Sequence, residues 1–487
     1  MLSSLQICVR PHFACFALGT AAALLSLACM ASGAAASVTI SSGKTKNIAC
    51  AVGVCTPTGK SAVLNVTQLE NLLATGNVDV TTGGDEATSI VVSASLSWAS
   101  ANSLTLDAYK SITINLPVAV NGTGSLTLTT NDGGKNGMLS FGSSGNVAFL
   151  STANSLTVNG AAYTLVADTT TLASEIASSP GGNYALASSY NATGNGTYVT
   201  TTFTGQFEGL GNTISNLGNG VTPNSPTFAL FSEVAAGATV ANLRLTAVSY
   251  SGSGEVDGGL SAFNFGTLSG DSVSGTLQST NVTLPVVGGL SGENGGTIVN
   301  CQSSVAVAIG NDGEGTAGGL VALNHGSISV SYASGSVAQS TGSDSKIGGL
   351  VGYNYDEGTI ANSYATGAVT GNSRAKVGGL AGQGSKSIKN SYATGMVTAG
   401  SRSKVGGLIG DLIDPTTTVT NSYWDTTTSG IANASQGAGN VSDAPGITGL
   451  SSTQLEAGLP AGFSSTIWGE TPSINGGLPY LLAISPI

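Results

Sequence analysis

Apolar positions along this chain recur on two scales. On the short scale they alternate. In "SLTLDAYKSITINLPVAV" (103–120), Leu104 and Leu106, then Ile112, Ile114, Leu116, Val118 and Val120, fall on every second residue. That is the period of a strand with one face turned inward. "GSLTLTTNDGG", "GMLSFGSSGNVAFL" and "NSLTVNGAAYTLV" continue in the same style, separated by Gly and Asn turns. On the long scale the triplet "GGL" begins at 258, 288, 318, 348, 378 and 406, at intervals of 30, 30, 30, 30 and 28. A second element follows each triplet, as in "TIVNCQSSVAV" (297–307), "TIANSYATGAV" (359–369) and "SIKNSYATGMV" (387–397); the last copy is "TVTNSYWDTTTSG" (418–430).

The period predicts what each copy forms. If "TIANSYATGAV" is extended, Ile360, Asn362, Tyr364, Thr366 and Ala368 share one face. Gly367 within the run and the scarcity of helix formers argue against a helix. Thirty residues at about 3.3 Å each give roughly 100 Å of path, one turn of three short strands; six turns about 4.8 Å apart make a rod of roughly 29 Å. Leu350, Ile360, Tyr364, Val369 and Val377 are too few to bury one another within a single copy. They are buried only with a turn above and a turn below, so the repeat reads as a rung, stable by stacking. Gly348 and Gly349 read as a corner. Asn264, Asn294, Asn324 and Asn354 stand at intervals of 30 and predict a ladder of side-chain amides, each bonding the next. The ladder ends at Gly384 and Leu412, so the last two rungs are expected to turn differently. Two short helices are expected as well. "TQLENLLATG" spaces Thr67 and Glu70 as a capping box and stops at Gly76, and "TQLEAGLP" repeats the spacing at Thr453 and Glu456 before Pro460.

"GLSG" (289–292), "GLVG" (349–352), "GLAG" (379–382) and "GLIG" (407–410), each followed by an "NSY"-like strand, resemble the GLUG repeats of bacterial surface and secreted proteins. "GLSA" (259–262) and "GLVA" (319–322) depart only at the last glycine. The strand-rich stretch 100–166 is similar to filamentous-haemagglutinin-like passenger proteins, although it lacks an "NPNG"-type secretion motif. The resemblance implies an all-β fold, a right-handed parallel β-helix (β-solenoid) with short helical or irregular caps. The expected organisation is a signal peptide (1–36), an N-terminal cap (37–80), a haemagglutinin-like segment (81–170), a lead-in with a short helix and further strands (171–257), six repeats (258–430) and a C-terminal cap (431–487). The caps are expected to cover strand edges that would otherwise pair with other chains.

Composition narrows the function. Of 487 residues 71 are glycine and only 8% are charged, with 41% apolar, which excludes a solvated disordered tail. The net charge of −11 counts against a nucleic-acid partner, which requires a basic face. Arg10 and His12 precede the apolar run "FACFALGTAAALLSLACMA", and "ASGAAA" offers small residues near Ala36. The pattern reads as an export signal; an uncleaved anchor helix and lipid attachment at Cys29 are the alternatives. Cys50 and Cys55, in "CAVGVC", are expected to pair in an oxidising compartment or to remain two unpaired thiols. Cys301 is left over.

No constellation of catalytic residues stands out. His325 is the one histidine beyond the export segment, and it aligns with Phe265, Gly295 and Tyr355 of neighbouring copies, a corner where residue type varies. Asp257, Asp312, Glu314, Asp344, Asp356 and Glu357 lie near repeat junctions at different offsets from "GGL". They read as solvated turn residues before they read as calcium ligands. Lys346, Lys376 and Lys404 stand two residues before a triplet, with Arg374 and Arg402 nearby. They form either a stripe for anionic polysaccharide or a charged edge that resists strand pairing, and the second is favoured. Trp424 replaces Ala365 and Ala393 of earlier copies; it reads as a cover on the last rung, with a sugar platform as the alternative. The expectation is an exported structural or adhesin-like solenoid without catalysis, cofactor or metal, its partner a glycan or a host or neighbouring cell surface. The alternative is a carbohydrate-active or calcium-dependent β-helix. Only 57 residues follow position 430, too few for an outer-membrane barrel, so a secreted or surface location is expected to need a separate transporter or a lipid anchor, with retention in the periplasm as the alternative.

Overall fold

The computed structural model describes residues 36–484 apart from 85–86, 196–197, 219–226, 312, 385 and 414–416. The expected signal peptide lies, apart from Ala36, outside the described residues. Residues 36–487 form one compact unit, a parallel β-solenoid of about 11 turns.

The alternating stretches wind first, as a section with three faces. Strands Ser89–Val92, Ser111–Ile114 and Leu139–Phe141 stack on one face, Leu96–Trp98, Val118–Val120 and Val147–Phe149 on the second, and Leu104–Asp107, Ser125–Thr129 and Ser155–Val158 on the third. Leu104, Leu126 and Leu156 lie in register and are all buried, because strand alternation sends every second side chain inward. Cys50 and Cys55 face each other across the antiparallel hairpin Ile48–Ala51/Val54–Pro57 and are joined as a disulfide.

Helix α1 (Val66–Thr75) packs Leu69 and Leu73 into this core. Its cap differs from the expected box. Asn65 caps it, accepting from the Gln68 N–H, and Glu70 instead accepts the N–H of Ser97 on the neighbouring strand Leu96–Trp98. The tertiary neighbour takes the carboxylate because a strand N–H at the side of a sheet has no backbone partner there.

At Asn159 and Gly160, both with positive φ, the chain reverses and Ala161–Val166 pairs antiparallel with Ser155–Val158. The third sheet nevertheless continues, sixteen strands in all. Leu165 and Ala185 face the first core, whereas Val166 and Leu186 face a second. Strand direction and inner face therefore switch together, which leaves the sense of winding unchanged. Helix α2 (Thr169–Ser178), capped by Asp168, adds Leu172 and Ile176 to the second core.

The repeats have four faces rather than the expected three. One rung contains Lys346–Gly348, Val351–Asn354, Thr359–Ala361, then Tyr364–Ala365 and Val369–Gly371 together on the fourth face. Residue pairs with residue: Gly348 with Gly378, Ile360 with Ile388, Tyr364 with Tyr392. The extra face comes from Asn362, whose φ of 49° bends the predicted strand. Ile360 points into the core, and Tyr364 points out of it. Asn390 and Asn421 occupy the same corner at φ 49° and 46° and form with Asn362 a second amide ladder whose bonds are 3.3 Å long. Asn tolerates this left-handed region through local bonding of its short side chain, but Val330, at φ 48° in the same column, is β-branched and strained there.

The "GGL" glycines are required by proximity, since none of them has positive φ. A Cβ on Gly348 would lie 2.0 Å from the carbonyl oxygen of Val351, and one on Gly349 would lie 2.1 Å from the Gly379 oxygen of the next rung. Leu350 follows, fully buried, its N–H donated to Leu380.

Two expectations for the C-terminal part are corrected. Residues 436–450 add a further rung that lacks the triplet: Leu408 donates to Gly437, Ile409 bridges Ala438, and Ser422–Asp425 pairs with Ile447–Leu450. Trp424 is therefore neither a cover nor a platform. It points into the core, fully buried, and Gly407, Gly437 and Gly449 make room for it. Residues 451–484 lie along the flank, where Leu455, Phe463, Trp468 and Leu481 pack on the outward tyrosines 332, 364, 392 and 423. Helix α3 (Ser452–Leu455) closes its capping box through Ser451 and Gln454, not Thr453 and Glu456.

Gly349→Ala is expected to destabilise the protein by about 2–3 kcal/mol through overpacking, lowering the thermal midpoint. Gly76→Ala, where an added Cβ meets nothing within 4 Å, should leave the midpoint almost unchanged. Val330→Asn should raise it, by relieving roughly 1 kcal/mol of backbone strain.

Candidate functional site

The strands that follow the six triplets, together with Phe231–Val234 before them, form a seven-stranded sheet whose outward side is open to contact. In "SAFN", "SGEN", "VALN", "VGYN", "AGQG" and "IGDL" the first, second and fourth positions serve packing, and only the third is turned outward with partial exposure in the first four. The third positions make one registered column: Phe263, Glu293, Leu323, Tyr353, Gln383 and Asp411. Beside it runs the corner column Phe265, Gly295, His325 and Tyr355.

These columns form a strip of rings and carboxylates. Phe265 is 42% and Tyr355 37% exposed. The His325 ring meets Tyr355 edge-on with centroids 4.9 Å apart, and Tyr355 lies 4.9 Å from Tyr353. The imidazole sits between Glu293 at 3.7 Å and Asp356 at 3.9 Å. Both distances are longer than a hydrogen bond. The Lys346 ammonium stands 5.6 Å from the Tyr353 ring centroid and 3.3 Å from Glu314. Partial burial pushes the Tyr353 hydroxyl up to about 12, so it stays protonated and able to donate. Rings with polar edges beside carboxylates can hold a hydroxylated ligand through apolar faces and directed hydrogen bonds together.

The residues singled out in the sequence lie elsewhere and build the rod. Asn264, Asn294, Asn324 and Asn354 are fully buried and form the amide ladder, each step a 2.7 Å bond from Nδ2 to the next Oδ1. At its end Asn354 donates to the Gly358 carbonyl. Tyr332, Tyr364 and Tyr392 stack nearly parallel at 4.7 and 5.0 Å, but under the C-terminal segment, where Tyr392 donates to the Pro479 carbonyl. Lys346, Lys376 and Lys404 do align, yet the column is not a free cationic stripe. Lys346 pairs with Glu314, Lys404 with Asp411, and Arg374 grips Asp344 from the next rung, while Lys376 donates to the Asp344 carbonyl. Among the described residues no three His, Cys, Asp or Glu side chains gather as a metal cluster.

Sequence reasoning passed over the outward column. Its signal was present in the varied residues at 263, 293, 323, 353 and 383, at the same interval of 30 as the triplet. It also missed two buried carboxylates, Glu208 in the lead-in and Asp271 in the first repeat, and it misread Asp257, expected as a solvated turn residue, which is fully buried because it caps the Phe228 N–H inside the stack. Asp257 accepts from the Phe228 N–H, Glu208 from Asn242 and the Leu210 N–H, and Asp271 from the Leu243 N–H. Burial outweighs these bonds: Asp257 and Glu208 are pushed up to about 7, and Asp271 is raised well above the carboxylate range. Asp271 begins a column continued by Cys301, Ser331, Ser363 and Ser391, in which each serine oxygen accepts a backbone N–H from the rung before. Cys301 is a buried free thiol in this column, held protonated chiefly by burial.

The fold defines a parallel β-solenoid repeat protein. Within it, residues 344–370 match the family model described as Glug, the GLUG motif. No curated protein matches the chain.

The buried carboxylates set a pH dependence. Their folded pKa values lie above the unfolded values of about 4, so the native state keeps protons that the unfolded chain has released. Stability is then greatest near pH 4 and declines as pH rises towards about 7. The thermal midpoint should be higher at pH 5 than at pH 8, and Asp257→Asn should flatten the dependence. A midpoint that rises over this range would contradict the assignment.

Proposed function

We propose that the chain is an exported, non-catalytic structural or adhesin-like solenoid that holds cell-surface or free glycans against one flank. The observation that carries this reading is the outward strip Phe263, Phe265, Tyr353 and Tyr355 with Glu293 and Asp356, carried by the first, second and fourth rungs of one registered sheet. A rigid sheet presents such groups at fixed spacing, so several weak contacts to a repeating polymer add along one axis. The GLUG match supports a repeat-built protein. Contact with a glycan, surface presentation and the absence of catalysis are the proposal.

The test is binding of residues 37–487 to an array of bacterial and host glycans, with intact cells as a second readout. Binding without turnover is expected, and Tyr353→Ala with Tyr355→Ala should weaken it at least about tenfold while the thermal midpoint stays close to that of the parent. Equal binding by the double variant would remove the strip as the site. Depolymerisation of any bound polysaccharide, abolished by a single Asp or Glu substitution, would replace the reading with a carbohydrate-active one. Cell fractionation with N-terminal sequencing of the mature chain checks export.

A further inference from the structure

A second concave site lies where the two solenoid sections meet, away from the flank strip. The outer face of strands Ser111–Ile114 and Leu139–Phe141 stands opposite the corners of the second section, and a recess of about 320 Å³ separates them. That volume falls at the small end of ligand pockets, roughly 300–1,000 Å³. Leu482, Ala483 and Ile484, near the end of the C-terminal segment, line one side.

The two walls are built differently. On the first, Thr113 and Ser140 project outward from adjacent strands with their hydroxyls 3.1 Å apart, and Asn115 and Phe141 follow them. The second wall is a stack of left-handed corners, Gly211, Asn242, Gly270 and Asn300, with φ of 70°, 56°, 71° and 55°. The missing side chain at Gly270 opens space between the amides of Asn242 and Asn300. A Cβ there would lie 2.7 Å from the Asn242 Oδ1.

Both charged groups in the recess are already engaged. Arg244 donates to the carbonyls of Gly142, Gly145 and Gly211, tying the two sections together. Asp271 accepts the N–H groups of Leu243 and Ser269. What remains towards the space is the paired hydroxyls of Thr113 and Ser140 and the amides of Asn115, Asn242 and Asn300, of which Asn242 keeps one donation for Glu208 and Asn300 one for the Met138 sulfur, beside one aromatic ring. Vicinal hydroxyls of a sugar ring match such a set, and the apolar side of the ring matches Phe141. We infer that this recess binds a neutral saccharide unit.

The site stands independently of the flank strip, and its test separates the two. Saturation-transfer NMR on residues 37–487 would use glucose, galactose, mannose, N-acetylglucosamine and their homodisaccharides as probes. At least one neutral sugar should bind. Ser140→Trp, which fills the recess from an exposed strand position, should abolish the signal, and Asn115→Leu should weaken binding at least about tenfold. These variants are compared in the Tyr353→Ala with Tyr355→Ala background, so that the flank strip adds no signal, and Gly76→Ala in that background should leave binding unchanged. If Ser140→Trp fails to fold by circular dichroism, Asn115→Leu decides alone. No transfer to any of these sugars, persistence of binding in the recess variants, or binding only of sulfated or phosphorylated sugars would each overturn the inference.

Discussion

One register holds the repeat section together: each residue bonds to its counterpart about thirty positions on. Gly349 lies so close to Gly379 that a methyl group would not fit between them. That approach is what lets the rungs hydrogen-bond at sheet spacing. From it follow the Leu350 stack, the buried Asn ladder and the aligned tyrosines, because identical neighbours above and below can share one geometry. A slip of one residue would turn the inward side chains outward along a whole strand. The Asn ladder makes such a slip costly, since a displaced Asn324 would lose both of its 2.7 Å partners.

The same register separates construction from contact. Inward columns repeat almost unchanged, whereas the outward column runs Phe263, Glu293, Leu323, Tyr353, Gln383, Asp411. Packing leaves the third positions of the first four copies partly exposed, so they can vary at little cost to the rod, whereas Gln383 and Asp411 are buried. Basic residues on the neighbouring column pair with acids of adjacent rungs, which leaves rings, hydroxyls and amides as the characteristic surface chemistry. The recess between the sections extends that chemistry to a concave place, created where the chain reverses at Asn159 and Gly160 and the core changes sides.

Much of the rod was legible in the linear pattern. The interval of 30 identified rungs, and the four asparagines at that interval form the ladder they implied. The misreadings share a physical cause. Tyr364 was placed on one face with Ile360 because alternation assumes an unbroken strand, and Asn362 at φ 49° breaks it. Glu70 looked like a cap because local spacing cannot register a strand edge at Ser97. Trp424 looked like a cover because the following rung carries no triplet to announce it. The flank strip was readable in principle from the same period, but its residues differ from copy to copy, and a search for sameness passes over them.

The sequence by itself determined that this protein is a stack of short strands, where the stack's inner columns lie, and that it favours glycine and asparagine over charge. Those are consequences of periodicity, which stays local or repeats at a fixed interval. The tertiary structure alone decided that the rung has four faces, that two cores share one sheet, and that the tyrosine ladder is covered by residues 451–484. It also brought Thr113 and Ser140 opposite Gly270 and Asn300. Those arrangements rest on contacts between segments that share no period, and the two sides of such a contact meet only when the chain has folded.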